Sequence, residues 1–160
     1  MPDLPHLKRL DSARLSIGVV MPRSHELASA KYVRLSDIAR FPVILPDSSL
    51  SIGTRLSRAL VKAKIDLTAG LVTNSMALMH RLAIAECGII LKPRVGLDRE
   101  LASGKLRFVP LREPGLEEER LTLFAGWESQ LSPAANALAL ELTRLLRRLE
   151  GNEDLQNPLP

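Results

Sequence analysis

The chain has 160 residues, of which 46% are hydrophobic and 25% charged, with a formal net charge of +4. This is the composition of a globular domain, or of one complete lobe with part of another. Aromatic residues make up only 3%, which argues against a base-stacking surface for single-stranded nucleic acid. The arginines are spread along the chain rather than gathered into a DNA-binding patch.

No segment indicates export or membrane insertion. The N-terminus lacks the apolar core of a signal peptide, and no apolar run approaches the ~20 residues of a membrane-spanning helix. The single cysteine, Cys87, excludes an intrachain disulfide and is expected to be a small buried hydrophobe. We therefore expect a soluble, cytoplasmic protein without a membrane partner.

The first half of the chain predicts alternating strands and helices. Its predicted elements, in order, are a tail over residues 1–14, a buried strand Leu15–Met21, a loop over 23–34, a short helix over 35–40, a strand Phe41–Leu45, a helix Ile52–Lys64, a strand Leu67–Val72, a helix Met76–Ala85 and a strand Ile89–Leu91. Gly88 supplies a tight turn before the last of these strands.

The C-terminal part continues the alternation. The predicted elements there are a short helix over 94–103, a strand Leu106–Val109, a loop over 112–119, a strand Leu121–Ala125, a helix Ser132–Glu150 that Gly151 ends, and a disordered tail over 151–160. Alternating strands and helices predict an α/β lobe whose mainly parallel sheet is covered on both faces.

Five segments, in this order along the chain, match a recurrent pattern. They are Pro22–Ala28 (similar to Pro-x-x-His-Pro-Leu-Ala), Val33–Ile44 (hydrophobic-x-Leu-x-Asp-Leu, then Pro and a strand), Ala85–Pro93 (Ala-Gly-x-Gly-Ile-x-x-x-Pro), Leu101–Leu106 (Leu-x-x-Gly-x-Leu) and Leu131–Ala135, the start of a closing helix. Together they resemble the effector-binding domain of LysR-type transcriptional regulators.

Two glutamates depart from that pattern. Glu26 stands where proline is usual, and Glu86 replaces the first glycine of its motif. If position 86 needs a positive φ, a glutamate there is disfavoured by roughly a kcal/mol.

The resemblance implies a periplasmic-binding-protein-like (type 2) fold of two α/β lobes. Residues 15–125 would be the effector-binding lobe, bounded by crossing strands at Leu15–Met21 and Leu121–Ala125. The segment 126–150 would carry a helix that returns to the first lobe. Most of that first lobe, and the winged helix-turn-helix that contacts DNA, would precede Met1.

The closing helix carries a leucine stripe, with members Leu138, Leu142, Leu145 and Leu149. Without the bulk of a first lobe this stripe would have little to cover it. We therefore expect the chain to self-associate, to swap elements with a second copy or to bind a partner.

The resemblance also implies an effector site in the cleft between lobes, at the carboxyl ends of the strands. Thr73, Asn74 and Ser75 would supply polar groups at the start of a helix, with Met76 as an apolar wall. The alternative is that Asn74 or Ser75 only caps that helix.

Three further residues are candidates for the rim of the site. Ser48 and Ser49 would form a second rim, or only a turn. His25 would lie at the cleft edge, or would simply be an exposed loop residue. His80, by contrast, is expected on the outer face of its helix.

An enzyme is disfavoured. Ser24, His25 and Asp37 could be drawn as a triad, but neighbouring residues rarely supply that geometry, and no nucleophile-elbow motif is present. No Cys/His spacing indicates a metal, and no glycine-rich motif indicates a nucleotide cofactor.

The leading interpretation is therefore the sensory domain of a LysR-type regulator. It would bind a small anionic metabolite, form a homo-oligomer and reach DNA only through a domain absent from this chain. The alternatives are a fragment of a periplasmic-type solute-binding protein, and an oligomerisation remnant without a ligand.

Overall fold

The structure is a computed structural model that describes residues 6–126 and 131–156, with side chains described as far as residue 150. The chain divides into two compact units. One is Ser16–Glu119; the other joins the residues up to Leu15 with those from Arg120 onward.

Within the described residues, six strands form one sheet. They are β1 (Leu7–Pro22), β2 (Val43–Pro46), β3 (Ala69–Thr73), β4 (Ile89–Pro93), β5 (Leu106–Pro110) and β6 (Glu118–Gly126). The order is β3-β2-β4-β1-β5, and β6 pairs with β1. Strands β3, β2 and β4 are mutually parallel, whereas β1 runs antiparallel to both β4 and β5. The predicted mainly parallel sheet is confirmed, with β1 running opposite to its neighbours β4 and β5.

In the part of the chain that the structure describes, five α-helices connect or follow the strands. They are α1 (Leu35–Ile38), α2 (Ser51–Ala63), α3 (Met76–Ile84), α4 (Asp98–Ala102) and α5 (Pro133–Gln156). A short 3-10 helix, Glu26–Ser29, lies in the segment predicted as loop. The helix predicted over 94–103 is confined to α4, and Gly104 follows it with a φ of 69°.

The two predicted tails are wrong where the structure describes them. Strand β1 begins at Leu7, because residues 7–14 pair in the sheet despite their polar sequence. Helix α5 continues through Gly151 to Gln156, because one glycine weakens a helix by only ~1 kcal/mol relative to alanine. Residues 1–5 and 157–160 of the predicted tails, and 127–130 of the predicted segment 126–150, lie outside the described residues.

Helices cover both faces of the sheet in the unit Ser16–Glu119. On one face, strand residues such as Ile17 and Leu91 pack with α1 and α2, and we call this group the first core cluster. On the other face, Val20 and Ile90 pack against Met79 of α3 in the second core cluster. Alternate strand residues enter opposite clusters, as the pleat of a β-strand requires.

The turn between α3 and β4 is tightly constrained. Glu86 has a φ of 58°, which confirms that the position needs a left-handed conformation. Gly88 has a φ of 155°, and a Cβ there would lie 2.7 Å from the Pro42 carbonyl oxygen. The prediction of a buried Cys87 is wrong: its side chain is exposed, because it sits in this turn rather than under a helix.

The other unit has a partly open apolar surface. In α5, Leu138 is 61% exposed and Leu145 46% exposed, whereas Leu146 is 6% exposed. A groove of about 310 Å3 is lined by Leu121, Thr122, Leu123, Leu142, Leu145, Leu146 and Leu149. Part of the predicted leucine stripe therefore faces outward.

Candidate functional site

Two polar loops meet at the carboxyl edge of the parallel strands. Pro46, at the end of β2, is the register partner of Thr73, at the end of β3. The backbone N–H of Asp47 donates to the Thr73 carbonyl oxygen at 3.2 Å. The loops after β2 and β3 therefore lie side by side, as parallel strands in register require.

Ser75 is the cap of helix α3. Its backbone is extended, and its hydroxyl accepts a hydrogen bond from the N–H of Leu78 at 3.3 Å. The Thr73 hydroxyl accepts one from the Ser75 N–H at 3.1 Å. Asn74 is exposed, and its side chain makes no hydrogen bond within the residues that the structure describes. The capping role thus belongs to Ser75, and the Asn74 amide is left available.

The first turn of α3 offers further donors. The N–H groups of Met76 and Ala77 precede any intrahelical acceptor, and they lie at the positive end of the helix dipole. Met76 is 36% exposed and adds apolar surface beside them. The edge can therefore hold a small ligand with an anionic or carbonyl group and a short apolar part.

The loop after β2 is engaged in its own turn. The Asp47 carboxylate accepts hydrogen bonds from the Ser49 N–H at 2.8 Å and from the Ser49 hydroxyl at 2.5 Å. These bonds hold the pKa of Asp47 below its usual value, so the carboxylate is ionised at neutral pH. Ser48 is exposed, and its carbonyl oxygen accepts from Thr54. The turn interpretation therefore accounts for Ser49, while the Ser48 side chain still faces outward.

His25 lies at the opposite edge of the sheet. Because β1 is antiparallel to β4, Pro22 at the end of β1 lies near the amino end of β4 rather than the carboxyl end. The His25 ring packs edge-on against Phe41 with centroids 4.6 Å apart, beside an open pocket of about 510 Å3. Partial burial lowers the pKa of His25, with opposing effects from Glu26 and Arg40. The structure does not bring His25 together with Thr73–Met76.

The triad that the sequence could suggest does not assemble. His25 Nδ1 accepts from the Leu27 N–H at 3.2 Å, and Asp37 accepts from the Arg34 N–H at 2.8 Å. The Ser24 hydroxyl donates to Glu86 at 2.9 Å. Among the side chains that the structure describes, which end at residue 150, no group of three potential metal ligands was found. Over residues 6–126 and 131–156, no helix is both long and apolar enough to span a bilayer.

A buried lysine escaped the sequence analysis. Lys92 of β4 is only 1% exposed. Its Nζ lies 3.4 Å from Nε2 of His80, so His80 is not on the outer face of α3 as predicted. The alternation along β4 carried a usable signal, because Ile90 and Lys92 must point to the same buried face.

Comparison with known proteins yields one family and many similar folds. A family model described as the LysR substrate binding domain matches residues 2–147. No curated protein matches the chain.

Three solved structures illustrate the structural likeness. The effector-binding domain of QuiR in complex with shikimate is 19% identical, with a TM-score of 0.68 over 92% of this chain and 69% of that one. The CcmR regulatory domain of Synechocystis PCC6803 in complex with 2-PG is 15% identical, with a TM-score of 0.72 over 93% and 71%. HinK, a LysR family regulator from Pseudomonas aeruginosa, is 18% identical, with a TM-score of 0.70 over 91% of this chain and 51% of HinK. At these identities the likeness shows a common fold.

Proposed function

Because the chain belongs to the LysR substrate-binding domain family, we propose that it binds its small-molecule effector at the amino end of helix α3. Domains of this family are parts of transcriptional regulators and have the type 2 periplasmic-binding-protein-like fold. The family match favours a sensory domain over a fragment of a solute-binding protein. In this proposal the bound effector would alter how the regulator's DNA-binding domains are placed.

The main support for the proposed site is the availability of the Asn74 side chain. Its side chain is exposed and makes no hydrogen bond among the described residues, while Ser75 already caps the helix. An amide held beside two free backbone N–H groups can donate and accept at once. QuiR and CcmR show that proteins of this fold bind small molecules.

The charge distribution supports an anionic effector bound on the α3 side of the edge. The dipole of α3 favours a carboxylate or phosphate at Asn74–Ala77. The ionised Asp47, on the neighbouring loop, would repel the same group. The anionic end is therefore directed toward α3 and away from Ser48 and Ser49.

For the bound effector to act as a signal, two arrangements of the lobes must bind it with different affinities. An effector that binds one arrangement of the lobes more tightly shifts the population toward it. In a homo-oligomer, which we propose for the intact regulator, that shift would change the spacing of the DNA-binding domains. The exposed leucines of α5 are an apolar surface of the kind that such assembly, or a first lobe, would bury.

The site is tested by titrating the isotope-labelled chain with small carboxylates and phosphates, shikimate and inorganic phosphate among them. We expect amide chemical-shift changes at residues 74–77. Asn74→Ala should weaken the strongest binder by ~5-fold, the loss of about one hydrogen bond. Asn136→Ala, an exposed asparagine of α5, is the matched control and should leave the affinity unchanged.

Two results would count against this site. One is a set of shift changes centred on another surface, such as the pocket beside His25. The other is equal affinity in Asn74→Ala and the unaltered chain. No shift changes with any probe would favour the oligomerisation remnant instead. Asp47→Asn offers a further check, since it should tighten binding of an anion by removing a repulsive charge.

A further inference from the structure

The ammonium group of Lys92 is buried on the face of the sheet that carries the second core cluster. Its side chain is 1% exposed, and it emerges from β4 on the same side as Ile90, under helices α3 and α4. Its Nζ donates to the Val95 carbonyl oxygen at 2.5 Å. A charge held in such surroundings is stable only with suitable partners.

The second partner of this ammonium is His80 of α3. The two nitrogens, Lys92 Nζ and His80 Nε2, are 3.4 Å apart. An ammonium can only donate, so Nε2 must accept and the ring must carry its proton on Nδ1. When His80 gains a second proton, both groups are donors and both are cations. This polar contact between α3 and β4 then becomes repulsive.

Two carboxylates of α4 act on the pair. Glu100 acts on both His80 and Lys92, and Asp98 acts on Lys92; both carboxylates favour the charged forms. For both groups, the lowering of the pKa by burial is larger than the opposing effect of the carboxylates. Burial is the largest cause that lowers the pKa of His80, with the charge of Lys92 next. Burial also lowers the pKa of Lys92 to about 8.

We propose that His80 and Lys92 form a proton-operated latch, in which protonation of His80 loosens α3 from β4 and thereby weakens effector binding at the start of α3. The effector half of this statement rests on the proposed function; the latch itself does not. His80 follows the cap Ser75 by five residues, ~7.5 Å along the helix. Met79, next to His80, is fully buried in the second core cluster, so loosening there changes how the first turn is held.

The direction of the pH effect follows from the lowered pKa of His80. The released state, in which the ring meets water, takes up a proton near the ordinary value of 6.5. The latched state takes it up only at lower pH. The latch is therefore complete above pH 6.5 and is lost as the pH falls below that value.

Hydrogen exchange of the ligand-free chain tests the latch. We expect the α3 amides, corrected for intrinsic exchange, to lose ~5-fold or more in protection between pH 7 and pH 5, relative to those of α2. His80→Gln keeps an acceptor but cannot titrate, so α3 protection should stay high and flat. Lys92→Met removes the repelled charge at similar volume and should also flatten the profile. His25→Gln, a matched histidine control, should retain the acid step.

Four outcomes would overturn the latch. The first two are a flat α3 profile in the unaltered chain and an acid step that survives in His80→Gln. The third is lower α3 protection at every pH in His80→Gln, which a purely structural contact would give. The fourth is loss of the acid step in His25→Gln, which would assign that step to His25. Because no effector is present, failure here leaves the proposed binding site standing, and failure of the Asn74 titration leaves the latch standing.

Discussion

The two faces of the sheet in Ser16–Glu119 are built differently. The first core cluster is entirely apolar and includes Leu56 of α2 and Ile38 of α1. The second face has fewer buried apolar residues, and it also encloses Lys92 beside His80. The first face should therefore supply stability that does not depend on pH. The second, which holds the helix that begins at the proposed site, is tied to the protonation of two groups.

The largest effect is expected on the apolar face. Leu56 is 2% exposed, so Leu56→Ala should lower the free energy of unfolding by about 2–5 kcal/mol through lost burial and a residual cavity. Val61 on the same helix is 80% exposed, and Val61→Ala should change it by less than ~0.5 kcal/mol. Urea unfolding measures both. Similar losses in the two variants would mean that α2 does not cover a core.

The second face should respond to alkaline pH. Lys92 has a pKa of about 8 in the fold, against an ordinary 10.5 in the unfolded chain. Between these values the unfolded state binds more protons, so stability rises with pH. The rise should reach at most about 3 kcal/mol, from 1.36 kcal/mol per pKa unit.

The matched variant isolates that lysine from every other alkaline group. Lys92→Met cannot titrate at this position. The unfolding free energy of the unaltered chain should therefore rise relative to that of Lys92→Met as the pH increases from 8 to 10. Urea unfolding at each pH gives the two curves. Parallel curves would show that Lys92 is not buried as a charge.

At the start of α3, stability and binding should separate. Ser75→Ala removes the cap hydrogen bond to Leu78 and should cost about 1 kcal/mol of unfolding free energy. Asn74→Ala should leave stability within ~0.3 kcal/mol, because the amide makes no internal bond. Equal destabilisation by the two changes, measured in urea, would remove the distinction between cap and ligand group.

The smallest effect concerns the turn before β4. Glu86 holds a φ of 58°, so Glu86→Gly should relieve left-handed strain worth up to ~1 kcal/mol. The lost hydrogen bond from Ser24 is exposed and offsets only part of this. Glu86→Gln keeps the strain and should leave the melting temperature unchanged. A Glu86→Gly variant that melts lower would show that the glutamate stabilises the turn.

Sequence reasoning located the start of α3 and its cap because those signals are local. A polar Thr-Asn-Ser run before an apolar helix predicts both a cap and exposed donors, and Ser75 and Asn74 divide those roles in the structure. The separation of His25 from Thr73–Met76 was not predicted, because the edge of the sheet on which a loop lies depends on strand direction. Pro22 ends a strand that is antiparallel to β4, and the sequence around His25 does not indicate the direction of that strand.

Local sequence signals specify three features of this protein. Periodicity gives the alternation of strands and helices, the glycine pattern gives the left-handed conformation at Glu86, and capping chemistry gives the start of α3. The insertion of β1 between β4 and β5, and the meeting of His80 with Lys92 across 12 positions, were decided only by the tertiary structure. Such contacts depend on how separate elements share one buried face. The pattern of apolar residues along the sequence predicts which residues are buried, but only the packing of separate elements decides which of them are in contact.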